Sequence, residues 1–132
     1  MSEEKVKTVA NLVDAWNERN VDGFLRFFDA NCEVVFRPEV PEPGPFRGRV
    51  QLREWTEGFL AAWESHRVEV VELIETDDTA VAMLRLTGLG TGSGIAMEET
   101  DAHVFVFRGD RIASWHNFGD RSQALEAAGL PE

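Results

Sequence analysis

Apolar and polar positions alternate through most of residues 79–118, and the pattern turns helical on either side of that stretch. Two β-rich runs flank the tight turn Arg108-Gly109-Asp110-Arg111, which reads as a hairpin. A third run, residues 79–89, precedes them and completes a three-stranded antiparallel meander. Side chains point alternately to the two faces of a strand. On the middle strand Asp101, His103, Phe105 and Phe107 therefore share one face, and Ala102, Val104 and Val106 share the other. Upstream, Val6, Val9, Leu12, Val13 and Trp16 recur at helical spacing within residues 3–19. Asn20 or Asp22 caps a second helix that holds Phe24, Leu25, Phe27 and Phe28, and Asp29-Ala30-Asn31 stops it. Residues 33–36 read as a short strand. A third helix spans about 49–64, with Leu52, Trp55, Phe59, Leu60 and Trp63 on one stripe, and residues 68–75 form the next strand. Asp120 caps a last helix, Gln123 stands where a capping box needs it, and Gly129 suits the left-handed position after its end.

Two connections stand out. Residues 37–48 contain four of the five prolines, which excludes helix and central strand. That segment is either a plain connection or the rim of a pocket. Residues 88–94 are glycine-rich, but their spacing matches no phosphate-binding loop, and no helix follows. They read as a flexible or bulged strand connection.

Composition narrows the function classes. The 132 residues suit a single α+β domain with one core. A net charge of −11 repels phosphate backbones and anionic membranes, so neither nucleic acid nor membrane is an expected partner. No apolar run reaches membrane-spanning length, and residues 1–5 lack the features of a signal peptide; the expectation is a cytoplasmic protein. Cys32 is the only cysteine, and the three histidines are dispersed without ligand spacing, so no disulfide or metal is expected.

The order of elements and several local runs carry a resemblance. Val13-Asp14-Ala15-Trp16-Asn17 with Val21-Asp22-Gly23-Phe24-Leu25 resembles the opening of the nuclear transport factor 2-like superfamily. Pro43-Gly44-Pro45-Phe46-Arg47-Gly48, Ala102-His103-Val104-Phe105 and Gly109-Asp110-Arg111-Ile112 resemble later segments of it. The ending, residues 115–120 and 124–130, is similar to the SnoaL-like branch, which includes polyketide cyclases. The resemblance covers almost the whole chain. It implies a cone-shaped fold, a curved, mostly antiparallel sheet wrapped by three to four helices around a pocket. It implies, too, an outer face that often forms a homodimer.

Carried over by position, the resemblance removes two mechanisms. The tyrosine, carboxylate base and protonated aspartic acid of ketosteroid isomerases match Leu12, Phe36 and His103 here, so two of the three cannot transfer a proton. The water-activating residues of limonene epoxide hydrolases fall near Met83, Arg85 and Asn117, without the aspartates. SnoaL-type cyclases use an acidic residue near the last pocket strands, for which Asp101 or Glu99 is available.

The expected site follows from what remains. His103, held by Asp101, is the candidate acid–base, with a satisfied interior histidine bonded to Asp101 or a backbone carbonyl as the competing reading, and Arg85 is the candidate stabiliser of an oxyanion. Trp16, Phe36, Trp55 and Phe59 are expected to line the pocket, together with Met83, Phe105, Trp115 and Asn117. A structural pairing of Arg85 with Asp101 or Glu99 competes with its catalytic role. His116 is placed on the opposite face and His66 in an exposed position. The expected activity is cofactor-free acid–base chemistry on a small hydrophobic carbonyl or polyketide-like compound. The alternative is a non-catalytic homodimeric module. An outer face of Ala82, Leu84, Leu86, Ala102, Val104, Val106, Ile112 and Phe118 would be covered by a second copy.

Overall fold

The computed structural model describes residues 2–40 and 42–131. Its elements are α1 (Ser2–Asn17), α2 (Val21–Leu25), β1 (Phe28–Val35), β2 (Phe46–Arg47), α3 (Gly48–Ala61), β3 (Trp63–Glu75), β4 (Thr79–Gly90), β5 (Ala96–Arg108), β6 (Arg111–Phe118) and α4 (Arg121–Ala127). The strands form one curved sheet in the order β2-β1-β6-β5-β4-β3. All neighbours are antiparallel except β1 and β6. This is the α+β architecture expected from the sequence.

The helices divide between the two faces. Helix α1 buries Val9, Leu12, Val13 and Trp16, spaced three and four residues apart, in a core shared with α3 and the inner face of the sheet. Val6, at the start of the same stripe, stays exposed. Helix α4 instead packs on the outer face, where Ala124 and Leu125 meet Val81, Ala102 and Val104. Its ends are closed as the sequence predicts. The Asp120 carboxylate accepts from the Gln123 N–H at 2.8 Å. At the other end the N–H groups of Gly129 and Leu130 reach back to Glu126 and Leu125, with Gly129 in the left-handed region.

Three boundaries differ from the sequence reading. Helix α2 stops at Leu25, and β1 already begins at Phe28, so the aspartate and asparagine at 29–31 lie within a strand. Helix α3 ends at Ala61, which puts Trp63 at the start of β3. Arg19 closes that break: its guanidinium donates to the carbonyls of Leu60 at 2.9 Å and Trp63 at 2.6 Å. Strand β3 thus starts five residues before Val68, and His66 falls inside it.

The largest correction concerns which residues face inward. Directly opposed residues of an antiparallel pair share a face. Ala82 opposes His103 and Leu84 opposes Asp101, so Ala82, Leu84 and Leu86 point inward with the middle-strand histidine. Met83 and Arg85 therefore point outward. Ile112 is also turned inward, because a bulge at Ala113 pairs Phe107 with Ile112 but Val106 with Ser114. The apolar residues left on the outer face, including Met83, Val106 and Phe118, pack around α4. Helix α4 thus covers part of that face from within the chain.

Helix α1 is fastened to β3 by one side chain. Asn17 donates to the Val68 carbonyl at 2.9 Å and accepts from the Val68 N–H at 2.8 Å, as a neighbouring strand would. An Asn17→Ala variant loses both bonds, and at about 1 kcal/mol net for each the expected loss is about 2 kcal/mol. Urea unfolding measures it; a loss below about 0.5 kcal/mol would show that the clamp contributes little.

Candidate functional site

Between the concave face of the sheet and helices α1 and α3 lies a cavity of about 600 Å³. Aromatic rings make up much of its wall. Trp16, Trp55 and Phe59 come from the helices, and Phe36, Phe105 and Trp115 from the sheet side. Their ring centroids lie 4.6–6.1 Å from one another in successive pairs, the range of direct aromatic packing. Val40 and Glu42 from the proline-rich segment also line the cavity, so that segment forms part of its rim.

The polar lining is sparse and specific. Asp101 and His103 lie on β5 two residues apart, hence on one face, and are 3% and 4% exposed. Asn117, opposite His103 on β6, accepts the backbone N–H of Arg37 at 2.8 Å. This brings the first residue of the proline-rich segment over the carboxylates of β5. The Arg37 guanidinium donates to Glu99 at 2.7 Å and stands 3.2 Å from Asp101 Oδ1, without the alignment of a hydrogen bond to that atom.

Burial dominates the electrostatics. It pushes the Asp101 carboxyl up to about 6, with help from the charge of Glu99 and against the pull of Arg37. Burial, assisted by Arg37, pushes His103 down to about 3. His103 is therefore neutral at neutral pH. Its Nδ1 accepts the indole N–H of Trp115 at 2.9 Å, which leaves the proton on Nε2. That buried Nε2–H has no partner among the described residues.

A second histidine repeats the arrangement. His66 is 7% exposed and lines the cavity from β3. Its Nδ1 accepts the indole N–H of Trp16 at 2.9 Å, and its Nε2 has no partner among the described residues. Burial, then the charge of Arg19, lowers it to about 4.

Most of the expected site residues meet at the cavity. Asp101, His103, Asn117 and the aromatic residues Trp16, Phe36, Trp55, Phe59, Phe105 and Trp115 all line it. Arg85 does not. It is half-exposed on the outer face, where it pairs with Glu98 and Glu69 rather than with Asp101 or Glu99. Met83 lies on the same outer side, beside the residues that meet α4. Both displacements follow from the β4 register. The sequence reading also missed two residues. His66 becomes visible once alternation is carried back from Val68 to 66, and Arg37 carries no signal beyond being a cation directly after the apolar end of β1.

Among the described residues, no group of three or more His, Cys, Asp or Glu side chains is placed to hold a metal ion. No helix among them is long and apolar enough to cross a membrane.

Comparison with known proteins gives a consistent picture. The SnoaL-like domain matches residues 9–115. No curated protein sequence matches the chain. The fold is similar to that of an NTF2-like protein of unknown function from Burkholderia pseudomallei K96243, at 15% identity and a TM-score of 0.80, covering 93% of this chain and 95% of that one. A hypothetical protein with a ketosteroid isomerase-like fold from Catenulispora acidiphila DSM 44928, in complex with trimethylamine, is 22% identical. Its TM-score is 0.77, with 94% and 93% covered. TerC, co-crystallised with polyporic acid, is 15% identical with a TM-score of 0.78, covering 94% of this chain and 96% of that one. At such identities the likeness is one of fold.

The lowered histidines make stability pH-dependent. Each stays neutral when folded but protonates near 6.5 when unfolded, so its contribution is lost as the pH falls from about 6.5 toward 4. Asp101 has the opposite sign: raised from 3.8 to about 6, it binds its proton more readily when folded and partly offsets that loss. Chemical unfolding of wild type and His66→Gln at pH 6 and pH 5 isolates one histidine. The wild type should lose about 1 kcal/mol more than the variant over that step. Equal losses would contradict a neutral, buried His66.

Proposed function

The chain belongs to the SnoaL-like domain family, and on that footing we propose that it binds a neutral, mostly apolar carbonyl compound and moves a proton on it by side-chain acid–base chemistry. The observation that carries this reading is Asp101, buried and raised to about 6, on the same strand face as the unpartnered Nε2–H of His103.

The division of labour follows from the two charge states. At neutral pH Asp101 is mostly ionised, yet it is a stronger base than an ordinary aspartate because burial disfavours its charge. It takes a proton from the carbon next to the carbonyl. As negative charge grows on the carbonyl oxygen, the Nε2–H of neutral His103 donates a hydrogen bond to it. Return of the proton to a different atom gives isomerisation, and attack of the carbanion on a second carbonyl closes a ring. His103 is thus the donor, and Asp101 the base. The role first assigned to Arg85 passes to His103.

The lining argues for the ligand's character. Glu42, Glu99 and Asp101 are its acidic members, and among the described residues no lysine or arginine lines the cavity. An anionic ligand would meet this field unfavourably. Trimethylamine and polyporic acid, held by two proteins of the same fold, set a precedent for a small organic occupant.

The non-catalytic reading has one observation in its favour, the Arg37 guanidinium 3.2 Å from Asp101. A pair that never opens would leave a binding protein. Deuterium exchange separates the two. Cyclic ketones and β-diketones are incubated with the protein in D₂O, and loss of the α-proton signal is followed by NMR. The acid–base reading predicts exchange whose kcat/KM rises with pH to a plateau above about 6. It also predicts a loss of at least about 100-fold in Asp101→Asn. Binding without exchange in the wild type, or exchange untouched in Asp101→Asn, would contradict it.

A further inference from the structure

We propose that His66 is a second polar subsite, a hydrogen-bond donor at the opposite end of the cavity from His103, so that the ligand is an elongated apolar molecule with a neutral acceptor at each end. For the near end the inference rests on the reading given above. The far end stands on separate residues.

The two histidines are well apart along the sheet. His66 on β3 opposes Gly88 of β4, whereas His103 on β5 opposes Ala82 of β4, six residues away. The rings of Trp16, Trp55 and Trp115 run between them, with centroids 6.1 Å and 5.9 Å apart in succession. A flat apolar body suits that path, and each end of the path holds one imidazole N–H.

Chemistry fixes the proton on His66 as it does on His103. An indole N–H only donates, so the nitrogen that accepts from Trp16 carries no proton, and Nε2 of the neutral ring must. Trp16, Phe59 and Trp63 pack around the ring, and none of them presents an acceptor atom to it. If a hydrogen bond to Trp16 were the only requirement, a side-chain amide would supply it. The imidazole adds a buried donor with no partner among the described residues, the kind of group whose cost is removed only by a partner. The residue lines the cavity, so an occupant can be that partner.

The test uses ¹⁵N-labelled protein and long-range proton–nitrogen NMR of the histidine rings. The probes are 4-acetylbiphenyl, with one acceptor, and 4-acetyl-4′-methoxybiphenyl, which adds a second at the other end. The expected result is that the first probe moves the Nε2 signal of one histidine and the second moves both. The second probe should also bind about tenfold more tightly, and His66→Phe should abolish that tenfold gain. If that variant fails to fold, the wild-type spectra decide alone. Movement of His103 alone with both probes, at equal affinity, would overturn the subsite and leave the acid–base reading standing. Movement of His66 alone would uphold the subsite and remove the donor role of His103. No movement of either, whether by lack of binding or by binding elsewhere, would overturn both.

Discussion

An indole N–H can donate a hydrogen bond and cannot accept one. That asymmetry governs the interior of this protein, because each of its two cavity histidines meets a tryptophan. Trp115 holds His103 and Trp16 holds His66, both through Nδ1 at 2.9 Å. Each imidazole is thereby committed to one tautomer, and burial keeps it neutral. The rings cannot serve as cations at neutral pH. They become fixed, uncharged donors in a largely apolar wall, beside the carboxyl of Asp101, which burial raises to about 6.

The sheet register makes that arrangement possible. Opposed pairing brings Ala82 and Leu84 against His103 and Asp101, so small and aliphatic side chains floor the cavity beneath the polar pair. The same pairing sends Arg85 outward into a ladder with Glu98 and Glu69. Arg37, reaching in from the proline-rich rim, pulls Asp101 toward the ordinary carboxylate range, but burial and the charge of Glu99 outweigh that pull.

Much of this was legible in the sequence, for a physical reason. Period-two alternation on β5 and helical stripes in α1 and α3 are local patterns, so Asp101, His103, Trp16, Trp55 and Phe59 could be assigned to an interior from their own neighbours. The phase of β4 could not. Thr79 to Gly90 has apolar residues on both faces, inner at Leu84 and Leu86 and outer at Val81 and Met83, because α4 covers the reverse side. Alternation is nearly silent in such a strand, and only cross-strand pairing decides. Ile112 was misplaced by the bulge at Ala113, and His66 by a strand boundary set by pairing with β4 more than twenty residues on. Arg37 enters through a tertiary bond from Asn117, to which no local pattern points.

The central claim is that Asp101 titrates near neutrality while His103 does not titrate there at all. Selective ¹³C labelling of aspartate carboxyl and histidine ring carbons, followed by NMR from pH 4.5 to 8, reads both groups in one sample. The account predicts a carboxyl midpoint near 6 for Asp101 and a flat, neutral response from His103 across that range. A histidine midpoint near 6.5, with Asp101 ionised throughout, would contradict it and return the proton-transferring role to His103.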